Sequence, residues 1–589
     1  MNRKQISKIL IICIAILLLL SGCKTSNSPL KQEESDSLKW WQKTIVYEVY
    51  PNSFKDTDGD GYGDLKGITE KLEYLHSLGV GAIWLTPVYA SPMKDNGYDV
   101  SDYYAINPRY GSMEDMDELI AKAKQYDIRI VMDLVFNHTS NECEWFKQSS
   151  KSRDNDKSDW YIWKDPAPNG DVPNNWRGIF GGSAWTWCEE RGQYYLHTFG
   201  DFQPDLNWEN PEVRKALYEI ANFWVDKGVG GFRLDAIPYI KKPEFESGVA
   251  DGSDGMVGIN NMTANTEGIL DFLHEFKQNV QDGTDIFTVG EANGVKNKDL
   301  IKWIGDDGVF DMIFSFDLVN ITLKNGEKWY NANNFTLKEF KNILADMQNS
   351  TADNGWASIF FENHDQPRSI NHFLDKDVDQ VLGAKALSTI LLTLRGTPFI
   401  YEGEEIGMTN VDRDSIEEYN DISSINQYNM AISEGLTSQE AMKCVRAFSR
   451  DNARSPMQWD TSDNAGFTLP TSKPWLPVAS NYKDVNVKKE EEDENSVLSW
   501  YRKLACLREE YPVLINGNYK ELLNDSEKIY AYQRENNNTL ITVLINFTNE
   551  IVEYDKSVIE NSKLLLSDYD DSINGKLKPF ETAIYVKSK

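Results

Sequence analysis

The chain has 589 residues, more than one domain core usually contains, which predicts a large barrel-sized unit and a smaller one. Its formal net charge of −31 argues against nucleic acid or an anionic membrane surface as a partner. Aromatic residues make up 12% of the chain, and such side chains either fill a core or stack on sugar rings. Composition therefore fits a soluble domain with a neutral substrate.

The first residues are typical of an export signal. Arg3, Lys4 and Lys8 give a basic start, and residues 9–20 form an apolar run of signal-peptide length, short for a membrane span. The run ends in Leu-Ser-Gly-Cys, which resembles the bacterial lipobox, where the cysteine is lipid-modified and becomes the new N-terminus. We predict a lipoprotein signal peptide over residues 1–22, lipidation at Cys23, a flexible polar tether over 23–38, and an exported protein held to a membrane by its lipid. The alternative is a plain signal peptide with an incidental cysteine.

Beyond the tether, short β-branched or aromatic runs alternate with amphipathic helical stretches. The strand-like runs are 45–50, 82–85, 128–136, 231–235, 286–291, 312–316, 357–361 and 398–401. The helix-like stretches between them include 68–78, 113–125, 211–227, 269–280, 337–347 and 378–394. Eight strand–helix alternations predict a closed parallel (β/α)₈ barrel of the TIM type. An open doubly wound sheet is the alternative, but no glycine-rich phosphate loop follows the first strand.

Two stretches depart from this alternation. Residues 138–207 contain no long periodic segment, which predicts a subdomain inserted after the third strand. From residue 511 onward the runs are short and alternating, which predicts a C-terminal antiparallel β-sandwich over 511–589. The barrel would then comprise 39–137 and 208–510.

The cysteines beyond the signal segment show no metal-ligand spacing. They are Cys143, Cys188, Cys444 and Cys506. An exported protein can form disulfides, and a bridge between Cys143 and Cys188 would lie within the inserted subdomain. The sequence leaves that bridge and four free thiols equally open.

The loop after the first strand has an acid at almost every second position, with glycines between. Such spacing can wrap oxygen ligands around one hard cation, and Ca²⁺ is the natural candidate. The loop is no EF-hand, because Gly67 stands where the closing glutamate would be. The alternative is an acidic solvated turn. The predicted metal ligands are Asp56, Asp58, Asp60, Tyr62 and Asp64.

The stretch 230–237 reads as a short buried strand that ends on the carboxylate of Asp235. A buried carboxylate is costly unless another group pairs with it, so Asp235 should face a polar cleft. Since neighbouring side chains on a strand point to opposite faces, we expect Arg233 to join it only if the strand bends or ends there.

Further acids follow other strands of the predicted barrel. Glu291 follows the fifth strand and Asp365 the seventh, while Asp133 and His138 accompany the third. Residues after parallel barrel strands share one rim. Three carboxylates at one rim suit retaining glycoside hydrolysis, with a nucleophile, a proton donor and a group that stabilises positive charge on the sugar. The alternative for each acid alone is a solvated loop residue.

At this point the sequence resembles the α-amylase superfamily, glycoside hydrolase family 13. The stretches 133–138, 231–235, 290–291 and 363–365 are similar to its four signature regions, and the similarity runs from Trp40 to the C-terminus. Residues 203–207 resemble the family's fifth region in the form typical of the oligo-1,6-glucosidase and α-glucosidase branch. The stretches 95–103, 180–185 and 451–460 also resemble that branch. Related members bind Ca²⁺ at the acidic loop, which supports a structural ion.

The resemblance implies a role for each acid and a pKa for two of them. Asp235 would be the nucleophile and Glu291 the general acid/base, while Asp365 would stabilise the transition state. Arg233 would pair with Asp235 and keep its pKa low. Glu291 would need a raised pKa so that it arrives protonated.

The resemblance also implies contacts with the sugar in the reacting subsite. His138 and His364 would donate hydrogen bonds to its hydroxyls, and Tyr98 would stack under its ring. Asp99 would bind the non-reducing-end hydroxyls and so close the pocket into an exo-acting site. Arg450 would pair with Asp99.

The branch comparison also bears on the linkage that is cut. Members that cleave α-1,6 bonds usually carry Val directly after the nucleophile, whereas this chain has Ala236, which favours α-1,4. Pro238 and Tyr239 stand where endo-acting α-amylases carry Lys-His, so their outer subsite is in doubt. We expect a monomeric exo-α-glucosidase acting on malto-oligosaccharides, without an organic cofactor. The alternatives are an oligo-1,6-glucosidase, a broader α-amylase or neopullulanase, a trehalose synthase-like isomerase, and a non-enzymatic glycan-binding barrel.

Overall fold

The computed structural model describes residues 38–252, 254–296, 298–305, 307–323 and 328–589. The predicted signal peptide, the lipidation site at Cys23 and all but the last residue of the predicted tether lie outside these ranges. Within them, no helix combines the length and apolarity that crossing a membrane requires.

Eight parallel strands form a barrel at the centre of the chain. They are β1 (Val46–Val49), β2 (Ala82–Leu85), β3 (Arg129–Val135), β4 (Gly231–Asp235), β5 (Phe287–Glu291), β6 (Met312–Phe314), β7 (Ser358–Ile359) and β8 (Thr397–Tyr401). Their order in the sheet is β6-β5-β4-β3-β2-β1-β8-β7. The hydroxyl of Ser358 donates to the carbonyl of Ile313 at 2.7 Å, so the two edge strands meet and nearly close the barrel. This confirms the predicted TIM-type barrel.

Helices follow the strands and cover the barrel. The covering helices are Leu65–Glu70, Leu72–Ser77, Met113–Gln125, Pro211–Lys227, Ile269–Phe276, Leu300–Ile304, Leu337–Ser350, Gln380–Thr393 and Val497–Glu510. Both ends of helix Pro211–Lys227 are marked in the sequence. Asn210 caps its start, and Gly228 ends it in the left-handed conformation at φ 97°. The predicted helix over 68–78 is instead split at Lys71.

The segment after β3 forms a small antiparallel subdomain, as predicted. Its sheet pairs strands Trp163–Lys164 and Trp185–Cys188 with Gln193–Leu196. Strand Trp176–Arg177 pairs with Val257–Gly258 from the loop after β4. Within the described residues no disulfide joins any of Cys143, Cys188, Cys444 and Cys506, so the disulfide alternative was wrong.

Two further features complete the chain. The connection after β8 contains helices Ile422–Ser433 and Ser438–Phe448, which the sequence reading assigned to no element. The C-terminal unit is an antiparallel sheet with a second, two-stranded ladder, Val552–Glu553 with Lys576–Leu577, as predicted in outline. Its five strands are Asn518–Leu522, Ile529–Glu535, Thr539–Asn546, Lys563–Ser567 and Thr582–Ser588.

Candidate active site

The three predicted catalytic acids lie at the carboxyl end of the barrel. Asp235 ends β4, Glu291 ends β5, and Asp365 lies in the loop after β7. Their side chains are 10%, 24% and 33% exposed, respectively, so each opens to solvent at the same rim. A substrate can therefore reach all three.

The guanidinium of Arg233 connects the acids on the floor of the site. Its Nη1 lies 2.6 Å from Asp235 Oδ1 and 2.9 Å from Asp133 Oδ1, while its Nη2 contacts Glu291 Oε2. The expectation that Arg233 needs a bent strand was wrong. Leu234 separates Arg233 from Asp235, and residues two apart on a regular strand share a face.

The pKa values of Asp235 and Glu291 are both raised. Burial raises the pKa of Asp235 to about 6, with Asp133 and Asp365 adding to it, and Arg233 offsets only part of this. The implied low pKa of Asp235 is therefore wrong. Burial likewise raises the pKa of Glu291 to about 7, in the direction that the resemblance implies. Asp235 thus loses its proton before Glu291, the order that a nucleophile and a general acid require.

Three cationic side chains surround Asp365 and keep its carboxyl group ionised. Its Oδ1 lies 2.6 Å from Arg454 Nη2 and 3.2 Å from Arg450 Nη1. Its Oδ2 lies 3.2 Å from His364 Nε2. Burial would raise the pKa of Asp365, but His364, Arg450 and Arg454 together hold it well below its usual range. Asp365 can therefore offer a negative charge at any pH at which the site works.

Tyr98 and His364 lie face to face at the centre of the site. Their rings stack at 5.3 Å between centroids, and the Tyr98 hydroxyl lies 2.7 Å from His364 Nε2. The same hydroxyl donates to Asp133 Oδ2 at 2.9 Å. The other nitrogen of His364, Nδ1, lies 2.6 Å from Glu48 Oε1. In the ligand-free site both nitrogens of His364 therefore contact protein groups.

His138 is buried beside this group and is uncharged. Its Nε2 lies 2.9 Å from the carbonyl of Tyr98, and its Nδ1 lies 3.2 Å from Asn137 Nδ2. Burial lowers the pKa of His138 to about 4. The ring orients the Tyr98 backbone here, and its predicted hydrogen bond to a sugar would require one of these contacts to be exchanged.

Asp99 does not form the predicted pair with Arg450. Its carboxylate is fully buried and accepts hydrogen bonds from the amides of Lys94 and Asp95 and from the Ser91 hydroxyl, so it holds its own loop. Within this loop the acid that faces Arg450 is Asp95, at 3.8 Å, and Arg450 also contacts Asp365 and Asp421.

Four residues that build the site were not predicted from the sequence. Asp421 lies 2.7 Å from Arg450 Nε, in the part of the segment after β8 that was assigned to no element. Arg454 binds Asp365 and lies in the stretch 451–460, which was compared with the family without a role for this residue. Asp95 lies in a stretch that was compared with the family, but the contact with Arg450 was predicted for Asp99 in the same loop. Glu48 carried the plainest signal, because a glutamate in an otherwise apolar strand needs a buried partner.

The acidic loop after β1 brings three of its five predicted ligands together. Carboxylate oxygens of Asp56, Asp58 and Asp64 lie within 4.8 Å of one another. Asp60 is turned to its own loop instead, where it accepts a hydrogen bond from the amide of Tyr62 at 2.8 Å. At such short distances three carboxylates repel one another unless a cation lies between them. This donor set therefore fits a hard ion such as Ca²⁺.

Comparison with known proteins agrees with this geometry. The family model "Alpha amylase, catalytic domain" matches residues 48–517. The chain is 45% identical to the oligo-1,6-glucosidase of Heyndrickxia coagulans, covering 94% of this chain and 100% of the relative. It is 42% identical to the trehalose-6-phosphate hydrolase of Bacillus subtilis, with the same two coverages.

Solved structures give the same result. A trehalose-6-phosphate hydrolase from Bacillus licheniformis superposes with a TM-score of 0.88 at 40% identity, covering 94% of this chain and all of the other. An isomaltulose synthase from Klebsiella gives a TM-score of 0.89 at 38% identity, with the same coverage. The chain therefore belongs to the α-amylase family, and it is a glycoside hydrolase.

Proposed function

We propose that this protein is a retaining, exo-acting α-glucosidase that releases terminal α-1,4-linked glucose from malto-oligosaccharides. The observation that carries the proposal is that one guanidinium, Arg233, contacts both Asp235 and Glu291. Retaining glycosidases hold their two carboxyl groups about 5–5.5 Å apart, whereas inverting enzymes leave about 6.5–9.5 Å for a water. Two acids on one guanidinium favour the closer arrangement.

In this mechanism Asp235 attacks the anomeric carbon while the glycosidic C–O bond breaks. Glu291 gives its proton to the departing oxygen, and a glucosyl ester of Asp235 results. Glu291, now ionised, takes a proton from water, which attacks the same carbon and restores the Asp235 carboxylate. The permanent negative charge of Asp365 stabilises the positively charged sugar in both steps.

The exo action is supported by groups that close one end of the pocket. Arg450 lies near Asp95 and 5.5 Å from the ring of Phe180, which comes from the inserted subdomain. Asn426, on a helix after β8, donates to the carbonyl of Phe180. The subdomain and the segment after β8 thus meet above the site, which favours chain ends over internal bonds.

The preference for α-1,4 bonds rests on Ala236. This residue has a left-handed backbone at φ 50° directly after the nucleophile. A β-branched side chain such as Val is more strongly disfavoured than Ala in that conformation, so Ala236 reduces the backbone strain at this position. The second candidate is an oligo-1,6-glucosidase, which the names of several relatives favour.

Product analysis tests the proposal and its rivals in one experiment. Maltotriose, isomaltose, sucrose, trehalose 6-phosphate and starch are supplied separately, and products are resolved by chromatography while NMR follows the anomer released first. We expect α-glucose from maltotriose as the fastest reaction. Faster release from isomaltose selects the second candidate, isomerised disaccharides select an isomerase, and β-glucose as first product rules out retention.

We also propose a bound Ca²⁺ at the acidic loop. Asp56, Asp58 and Asp64 would hold it, and its charge would fix the loop that follows the short helix Pro51–Phe54 after β1. The loop contributes none of the groups that contact the catalytic acids, so the ion would act on stability alone.

We propose finally that the protein is exported as a lipoprotein anchored through Cys23. The support is the sequence at the N-terminus, which suits an enzyme that meets oligosaccharides outside the cell. Growth with a labelled fatty acid tests it: label should follow the native chain and be lost in Cys23→Ala. Label retained in that variant contradicts the assignment.

A further inference from the structure

Glu48 is a buried carboxylate in the wall of the barrel. It lies within β1, with a residue exposure of 2%, and its Oε1 lies 2.6 Å from His364 Nδ1 and 3.4 Å from the His364 amide nitrogen. Its strand neighbour Tyr47 points the other way, toward Glu405 between the barrel and its helices. Glu48 therefore serves the inside of the barrel, where the active site lies.

This contact determines which nitrogen of His364 carries a proton. Burial raises the pKa of Glu48, and His364 and Arg233 oppose this. An ionised Glu48 only accepts hydrogen bonds, so Nδ1 then donates to it. On the opposite side of the ring, Nε2 faces the carboxylate of Asp365 at 3.2 Å. A neutral ring would turn an unshared electron pair toward that carboxylate, whereas an imidazolium places its positive charge between the carboxylates of Glu48 and Asp365. Burial lowers the pKa of His364, but Asp365 and Glu48 outweigh it and raise the pKa to about 9.

The charge on His364 also decides the direction of the Tyr98 hydroxyl. When Nε2 carries a proton it donates to this hydroxyl, which is then free to donate to Asp133 at 2.9 Å. When Nε2 is bare, the hydroxyl donates to it instead and Asp133 loses a partner. Asp133 binds Arg233, and Arg233 binds Asp235. One line of hydrogen bonds thus runs from Glu48 to the nucleophile.

We propose that Glu48 is a positioning residue for the glycosidase reaction: it keeps His364 an imidazolium, and thereby sets the Tyr98 hydroxyl and the charge beside Asp365. The proposal rests on the proposed function for its kinetic consequence only. The ring is also faced by Tyr50, which stacks at 6.2 Å, by Trp84, edge-on at 5.9 Å, and by Arg454, whose Nε donates to the His364 carbonyl at 2.9 Å. Glu402, in the turn after β8, interacts with Glu48, and burial raises the pKa of Glu402 well above its usual value.

The test compares two isosteric variants by NMR of ring-labelled histidine. The chain has six histidines, and His364 is assigned by the signal that His364→Gln removes. Glu48→Gln keeps the shape and the acceptor oxygen but removes the charge. Glu405→Gln is the matched control, because Glu405 is an equally buried glutamate on the outer side of the same wall. We expect His364 to stay an imidazolium above pH 8 in the native enzyme and in Glu405→Gln, and to titrate at least one pH unit lower in Glu48→Gln.

The same variants are then assayed on a nitrophenyl α-glucoside between pH 5 and 9. We expect Glu48→Gln to lower kcat about 10- to 100-fold, as loss of one hydrogen bond to a charged group does, with KM changed less than about threefold. Above the limb set by Glu291, its rate should fall more steeply with pH than that of Glu405→Gln, because His364 also loses its proton there; a purely structural role would not cause this difference.

The proposal is overturned if native His364 is neutral at pH 7, or if Glu48→Gln leaves its titration unchanged. The native measurement decides the matter even if Glu48→Gln fails to fold. A native enzyme that turns over no α-glucoside refutes the proposed function, while the titration still decides the role of Glu48.

Discussion

Several arginines of this protein are buried, and two of them, Arg233 and Arg508, have partners of opposite kinds. In the active site Arg233 is bound by the carboxylates of Asp133, Asp235 and Glu291. Where the barrel meets the C-terminal domain, Arg508 is equally buried but donates to backbone carbonyls. Four carbonyls accept from it, those of Leu392, Leu394, Gly396 and Leu514.

The pKa values of the two guanidinium groups separate accordingly. Carboxylates raise the pKa of Arg233 well above its usual value, although burial opposes this. Burial lowers the pKa of Arg508 to about 9. The buried charge of Arg508 is stabilised because two of the carbonyls that accept its hydrogen bonds lie at the C-terminal end of helix Gln380–Thr393, where the helix dipole is negative. The groups that contact a buried guanidinium, and not its burial, therefore decide whether it affects the pKa values of catalytic acids or only holds two domains together.

The largest expected effect comes from removing one acid from the active-site arginine. Glu291→Gln should lower kcat/KM on maltotriose about 10²- to 10⁴-fold, because a positioned general acid contributes about that factor. Steady-state kinetics measures it. The melting temperature should change little, because the amide can stay near Arg233. Unchanged turnover would show that Glu291 is not the acid/base.

The junction should respond in stability and not in rate. Arg508→Met leaves several carbonyls without donors, and each such buried group costs about 1–3 kcal/mol, so we expect a loss of about 3 kcal/mol. Thermal and urea unfolding measure it, while kcat below the transition should stay within about twofold.

Arg502→Met is the matched control for Arg508. It lies on the same helix, Val497–Glu510, but pairs at the surface with Glu491 at 3.0 Å. Such exposed pairs contribute about 0–1 kcal/mol. Equal destabilisation by the two variants would mean that the carbonyl contacts of Arg508 contribute nothing special.

The comparison also separates what the sequence can predict from what it cannot. Strand Gly231–Asp235 and helix Pro211–Lys227 were predicted to the residue, because periodic apolar positions and the capping residues mark them. The barrel and the positions of Asp235, Glu291 and Asp365 follow from these elements.

Contacts that depend on irregular loops could not be predicted. Asp95 and Asp99 lie in one loop that turns at Asn96 and Gly97, both with positive φ, and this turn decides which acid faces Arg450. No periodicity describes such a turn. The partners of Glu48 and, apart from Leu514, those of Arg508 are equally hard to predict, because they come from residues more than 100 positions away.

The pH dependence of kcat/KM sharpens the comparison further. With Asp235 titrating near pH 6 and Glu291 near pH 7, we expect a narrow bell. The rate rises as Asp235 loses its proton and falls as Glu291 loses its own, and the two apparent values belong to the coupled pair. Arg508→Met should leave both limbs in place. A rate that stays constant up to pH 9 would contradict the assignment of Glu291.

The smallest expected effect lies in the acidic loop, where carboxylates face one another and accept from backbone amides. Asp56, for example, accepts from the amides of Gly59 and Gly61. If Ca²⁺ binds there, a concentration ten times Kd stabilises the fold by about 1.4 kcal/mol. EDTA should lower the melting temperature, Ca²⁺ should restore it, and kcat should not change. Asp58→Asn should abolish the response, since it removes the charge of the most exposed of the three ligands. A melting temperature that ignores both EDTA and Ca²⁺ would leave the loop as a solvated turn, stabilised by its amides alone.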